Sequence, residues 1–117
     1  MRAGKKTIGC PAELAVDVIR GRWKLMILRE LTAGTVRFGE LRRSVKGISE
    51  KVLAQHLREL ERDGIVTRLA YDETPPRVEY SLTAAGAALK PILEALHAWG
   101  LAHAPKEKAR DSAAAVT

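Results

Sequence analysis

The stretch GISEKVLAQHLRELERDG, residues 47–64, predicts a helix with a glycine just outside each end. Ser49 can cap the free amides at its start, and Gly64 suits the left-handed residue that ends many helices. On a wheel of about 100° per residue, the leucines at 53, 57 and 60 form one apolar stripe. The opposite side, roughly 140–200° away, is defined here as the outer face of the helix. It comprises Lys51, Gln55, Arg58 and Arg62.

The sequence around this helix predicts a mainly α-helical domain with one β-hairpin. Helices are expected at 11–19, 23–31 and 38–45, a short strand at 35–38, and hairpin strands at 65–71 and 77–82. A long last helix is expected from Thr83, with Pro91 kinking it or interrupting one hydrogen bond. A short helix, a glycine-containing turn and the helix at 49–63 form a helix-turn-helix, and the hairpin makes it winged.

The distribution of charge indicates an anionic partner. The formal net charge is +6, and residues 20–62 hold eleven Lys or Arg against five Glu, so 11 − 5 = +6 lies in this segment. Taken alone, a charged helix face most often means only contact with solvent. Within a winged helix-turn-helix, however, Arg and Gln side chains can bind base edges in the major groove, which favours DNA binding.

Several motifs together resemble the HxlR-type winged helix-turn-helix transcriptional regulators of bacteria, over residues 10–100. They are CP at 10–11, GRWKLMILREL at 21–31, RFGELRR at 37–43, ISEKVLAQHLRELERDGIV at 48–66, VEYSLTAAG at 78–86 and LHAWG at 96–100. The family commonly has Gly-Lys-Trp where this chain has Gly-Arg-Trp. The resemblance implies a homodimer held by the first and last helices, which binds a roughly palindromic operator with one recognition helix per half-site.

The apolar stripe of the last helix independently predicts such an interface, because it is long for so small a core. The expected dimer contacts are Leu14, Val18, Leu89, Ile92, Leu93, Leu96 and Trp99.

The expected DNA contacts divide into base and backbone contacts. Lys51, Gln55 and Arg58 are predicted to contact base edges or the groove. Arg62, further along the helix, is expected at a phosphate. Hairpin residue Arg77 is also predicted near DNA, although Asp72 and Glu73 beside it would repel phosphate. The residues expected to hold the DNA backbone or to lie at the helix start are Arg42, Arg43, Lys46 and Ser49.

Cys10 is the only cysteine, and it precedes Pro11 at the expected start of the first helix. The helix dipole favours a thiolate there, and Lys5 and Lys6 add positive charge nearby. The resemblance implies a sensor of oxidants or electrophiles at this position. The alternative is a small residue packed at the dimer interface, and reactivity depends on exposure.

Other functions find little support in the sequence. No catalytic cluster, phosphate loop or metal-ligand spacing is present, so neither an enzyme nor a metal or other cofactor is expected. No signal peptide or membrane span is apparent, which together with the single cysteine favours a cytoplasmic protein. The predicted organisation is a flexible arm at 1–9, the winged domain at 10–102 and a disordered tail at 103–117. The main alternative function is a winged-helix protein-interaction module that does not bind DNA.

Overall fold

The computed structural model describes residues 9–105 and shows a helical domain with a small antiparallel sheet. It confirms the predicted mainly α class with a hairpin wing. The elements in chain order are α1 Pro11–Ile19, α2 Arg22–Leu31, β1 Val36–Arg37, α3 Phe38–Ser44, α4 Glu50–Arg62, β2 Val66–Tyr71, β3 Arg77–Leu82, α5 Ala84–Ala87 and α6 Lys90–His103.

The core forms where α2, α3 and α4 meet the sheet. The predicted leucine stripe of α4 is fully buried, with Leu53, Leu57 and Leu60 all at 1% exposure or less. Ile27 and Leu28 of α2 are also inaccessible, which confirms that this largely apolar helix lies in the core. Burial of leucine and isoleucine side chains of this size is the main stabilising contribution to such a small domain.

The sheet has the strand order β1-β3-β2, so the short strand after α2 joins the hairpin. Val36 of β1 lies opposite Tyr80 of β3, and Val66 of β2 lies opposite Leu82 on the other side of β3. The sequence predicted each strand but not this pairing. As a result β3 is the central strand and ties the wing to the segment that begins the helix-turn-helix.

The prediction of one long helix after the hairpin was wrong, because two helices form there. Thr83 caps α5 by accepting a hydrogen bond from the Gly86 amide at 3.1 Å. Its hydroxyl also donates to the Gly64 carbonyl at 2.6 Å, which holds the start of α5 against the end of α4. Pro91 lies in the first turn of α6, where its missing N–H costs no helical hydrogen bond.

The chain ends predicted to be flexible lie mainly outside the described residues. This applies to the arm at 1–8 and to the tail from 106 onward. The last helix continues to His103, one residue beyond the boundary predicted at 102. None of the helices within 9–105 combines the length and apolar character that crossing a bilayer requires.

Candidate nucleic-acid interface

The turn between α3 and α4 fixes the direction in which α4 leaves the core. The Val45 amide closes α3 on the Leu41 carbonyl at 2.9 Å, and the Ile48 amide donates to Val45 at 3.3 Å. Gly47 between them has φ +92°, a conformation that side-chain-bearing residues rarely adopt. Ser49 then caps α4, because its hydroxyl accepts a hydrogen bond from the Val52 amide at 3.1 Å. The predicted cap is therefore confirmed.

The other end of α4 is also closed as the sequence predicted. Gly64 has φ +79°, and the Ile65 amide donates back to the Leu60 carbonyl at 2.9 Å. These bonds satisfy carbonyls that the last turn of a helix otherwise leaves unpaired. Both ends of α4 are thus fixed, and the helix presents one constant face to solvent.

The outer face of α4 is exposed along its whole length, directly opposite the buried leucine stripe. The basic side chains that precede it in α3 and the turn are exposed as well. The residues described here are Lys51, Gln55, Arg58 and Arg62 of the outer face, with Arg42, Arg43, Lys46 and Ser49 before it. Within residues 9–105, none of the cations in this set forms an ion pair. The surface is therefore positively charged and available to an anionic partner.

Arg77 in the wing differs from those cations because its charge is balanced locally. Its guanidinium lies 3.1 Å from the Glu73 carboxylate and 3.6 Å from that of Glu79. The guanidinium carbon also lies 3.9 Å from the Tyr71 ring centroid. The sequence identified Glu73 as a neighbour but missed Glu79, which faces Arg77 within the same strand. A contact between Arg77 and DNA stays a prediction, now with two competing carboxylates.

A buried ion pair that the sequence did not predict joins α2 to α4. Lys24 Nζ lies 2.6 Å from Glu59 Oε1, and the lysine side chain is only 4% exposed. The signal was a lysine inside the apolar run of α2, but its partner could not be identified from the sequence. His56 Nδ1 lies 3.7 Å from the same carboxylate oxygen.

The environment of Glu59 holds the pKa of its carboxyl below the ordinary value of 4.5. The hydrogen bond from Lys24 is the largest cause, and partial burial acts against it. A hydrogen bond from the Gln55 side chain lowers the pKa further. The carboxylate therefore stays ionised at neutral pH and connects the core to the outer face of α4.

Cys10 is exposed at the start of α1. The Glu13 carboxylate accepts hydrogen bonds from the Gly9 amide at 2.9 Å and the Cys10 amide at 3.3 Å. A carboxylate thus occupies the cap, which the sequence pattern did not indicate. The two lysines expected near the thiol, Lys5 and Lys6, lie outside the described residues.

The predicted dimer contacts separate into exposed and buried residues. Ile92, Leu96 and Trp99 of α6 are 47%, 48% and 64% exposed, which is unusual for side chains so large and apolar. By contrast, Val18 and Leu93 pack inside the subunit core, so they do not line this surface. Leu14 and Leu89 are half-buried. Val16 and Leu101, which were not among the predicted contacts, are also large, apolar and exposed.

The three histidines have no metal-binding company in this part of the fold. Among residues 9–105, no three His, Cys, Asp or Glu side chains come together in a group that could hold a metal ion. His103 instead stacks on Trp99 at 4.7 Å between ring centroids.

Comparison with known proteins assigns the chain to a family. The model of the HxlR-like helix-turn-helix family matches residues 18–108. The chain belongs to the HxlR-like family. The uncharacterised HTH-type transcriptional regulator YtcD of Bacillus subtilis (strain 168) is 46% identical over 99 residues, which cover 85% of this chain and 79% of YtcD.

Solved structures of similar proteins agree with this HxlR-like assignment. The redox regulator HypR in its oxidised form is 44% identical with a TM-score of 0.75, covering 82% of this chain and 99% of HypR. The reduced transcriptional regulator YodB of B. subtilis is 37% identical with a TM-score of 0.72, covering 83% of this chain and 96% of YodB. The family and these relatives are transcriptional regulators and not enzymes, which confirms the non-enzymatic prediction.

Proposed function

We propose that this chain is a sequence-specific DNA-binding transcriptional regulator whose α4 enters the major groove. The single observation that carries this proposal is the outer face of α4, which is exposed, rich in cations and fixed by caps at both ends. A helix about 10–12 Å across fits the major groove, where each base pair presents a distinct pattern of donors and acceptors.

Within this docking, base contacts and phosphate contacts come from different residues. Lys51, Gln55 and Arg58 face the bases, because they occupy successive turns on the exposed side of α4. Arginine can bind guanine with two hydrogen bonds, and glutamine can bind adenine in the same way. The phosphate contacts come from residues at the ends of the helices and in the turn: Arg42, Arg43, Lys46, Ser49 and Arg62.

We infer that two copies of the chain form a homodimer through α6. The exposed apolar side chains of Ile92, Leu96 and Trp99 support this, since exposed aromatic clusters on small domains commonly mark interfaces. A two-fold dimer presents two copies of α4 to one face of the duplex. Its operator is then a palindrome whose half-site centres lie about 34 Å apart, one turn of DNA.

We also infer that oxidation of Cys10 changes operator affinity. Its exposure supports this, and so does the similarity to HypR and YodB, since HypR is a redox regulator. A peroxide can oxidise the thiol to sulfenic acid and be reduced to water. The sulfenic acid can then condense with a second thiol, releasing another water and forming a disulfide. Equal operator binding by reduced, oxidised and Cys10→Ser protein would contradict this inference.

Selection of bound duplexes from random DNA tests the main proposal. The wild-type chain is expected to enrich a palindromic sequence, with affinity that falls steeply as salt rises because phosphate contacts release counterions. A winged-helix module that binds proteins instead would enrich no sequence, and that outcome would contradict the proposal.

A further inference from the structure

The ion pair between Lys24 and Glu59 lies directly behind the outer face of α4. The ammonium and carboxylate approach to 2.6 Å, and the Lys24 side chain is 4% exposed. Lys24 therefore has no route to a DNA atom, although it is a cation in the DNA-binding half of the chain. Its contact with α4 is through Glu59, whose side chain is 24% exposed.

The Glu59 carboxylate also holds a residue of the outer face. Gln55 lies one turn earlier on α4, and its side chain hydrogen-bonds to this carboxylate. An ionised carboxylate has only acceptors, so the amide must present its NH₂ group to it. One N–H then donates to Glu59, which leaves the second N–H and the carbonyl oxygen of Gln55 for another partner.

Those two free atoms match one base. Adenine presents N7 as an acceptor and its N6 amino group as a donor in the major groove, the complement of an amide N–H and C=O side by side. Without a partner, the amide can rotate by half a turn and exchange the positions of its donor and acceptor. A fixed amide can therefore distinguish adenine more sharply than a free one.

We propose that Lys24 and Glu59 are positioning residues that fix the Gln55 amide for adenine. Lys24 holds the carboxylate in place, the carboxylate holds one amide N–H, and the remaining edge of the amide faces the base. This inference rests on the proposed docking of α4 in the major groove. It adds a pair of residues that determines base preference without touching DNA.

The physical character of the pair allows specificity to be separated from stability. Removing one partner of a buried ion pair leaves an uncompensated charge, whereas replacing both partners by apolar groups is often neutral or stabilising. The double variant Lys24→Met/Glu59→Met is therefore expected to fold with thermal stability at least equal to that of the wild type. It nevertheless leaves the Gln55 amide free to rotate.

The experiment selects duplexes from random DNA with the full-length wild-type chain, this double variant, Lys24→Met, Gln55→Ala and Ile27→Val. Gln55→Ala identifies the base pair in each half-site that Gln55 contacts. Ile27→Val is the matched control, because it loses core volume from the same helix as Lys24 without touching the pair.

At the base pair identified by Gln55→Ala, the wild type is expected to prefer adenine. Both Lys24 variants should reduce that preference about fivefold or more, the lower end of what one bidentate contact contributes. The preferences at other positions should be kept, and Ile27→Val should keep them all.

Three outcomes would overturn the inference. One is a folded double variant with the wild-type profile at the Gln55 position, and another is a wild type that prefers a base other than adenine there. The third is a double variant that does not fold, which would assign the pair a purely structural role. If the wild type enriches no sequence, the proposed DNA binding fails first, and with it the basis of this inference.

Discussion

Gly86 in α5 packs so closely on Ile65 that a Cβ at this position would lie 2.2 Å from the Ile65 carbonyl oxygen. Real Cβ atoms do not approach backbone atoms so closely, and the carbonyl cannot move away easily. It accepts the Thr83 amide at 3.0 Å in the junction between the wing and α5. This contact is what brings the segment leading to α6 against the end of α4.

Gly86→Ala is therefore expected to lower the free energy of unfolding by about 3 kcal/mol or more, as overpacking and strain combine. Gly100→Ala is the matched control, because nothing lies within 4 Å of the Cβ position there. Within α6 that change should leave stability the same or raise it by up to about 1 kcal/mol, since Ala favours helix. Denaturant unfolding of both variants checks this, and equal stability of the two would contradict it.

Acid should remove the stabilisation that comes from Glu59. Its pKa is lowered in the folded state, chiefly by the hydrogen bond from Lys24, so the ionised form stabilises the fold above pH 4.5. That contribution is lost as pH falls through the lowered pKa. Glu59→Gln should lower the free energy of unfolding by about 1–3 kcal/mol at neutral pH, because Lys24 loses its charged partner.

The difference between wild type and Glu59→Gln is expected to shrink as pH falls below 4.5. Denaturant unfolding at a series of pH values measures it. Glu94→Gln serves as control, since Glu94 is exposed and has no ion pair within residues 9–105. A Glu59→Gln difference that is constant with pH would exclude the ionic contribution.

Replacement of Trp99 should separate the subunits without unfolding them. Its side chain is 64% exposed in the subunit, so Trp99→Glu removes little internal packing. If Trp99 is central to the interface, the change should weaken the dimer by about 2 kcal/mol or more, which is roughly 30-fold in dissociation constant. Sedimentation equilibrium over a range of concentrations measures this.

The control for Trp99 is Leu69→Glu in β2, another exposed large apolar residue that lies on the wing. It should leave dimerisation unchanged. Unaltered self-association of Trp99→Glu, or a wild type that is monomeric at all concentrations, would count against the α6 interface.

Arg43 is expected to contact a phosphate and therefore to strengthen binding to all sequences alike. Arg43→Ala should reduce affinity uniformly and lower the slope of log affinity against log salt by about 0.9 for each phosphate that the side chain neutralises. Arg29→Ala is the control, because Arg29 is exposed on α2, outside the helix-turn-helix. An unchanged slope for Arg43→Ala would remove this residue from the DNA interface.

The sequence predicted those parts of the fold that depend on local patterns. The leucine stripe at Leu53, Leu57 and Leu60 identified α4, and the caps at Ser49 and Gly64 gave its ends. These features lie within a few residues of one another, so periodicity and capping preferences are enough to locate them. The exposed outer face followed from the same wheel.

Contacts between distant segments could not be obtained in this way. The partner of Lys24 depends on how α2 packs across α4, and the pairing of β1 with β3 depends on the position of the whole wing. Val18 and Leu93 looked like interface residues, because an apolar stripe does not indicate which part of it the subunit itself covers. The balance of charge around Arg77 was missed for a similar reason, since Glu79 reaches it only in the folded strand.

The central claim is that the outer face of α4 binds base edges in DNA, and Arg58 lies in the middle of that face. The most direct test is the affinity of wild type, Arg58→Ala and Gln55→Ala for the selected operator and for its single-base variants, with Arg29→Ala as control. Each of the two α4 variants is expected to lose about 1–3 kcal/mol and its preference at one base pair per half-site. Retention of both affinity and base preference by both variants would contradict the claim.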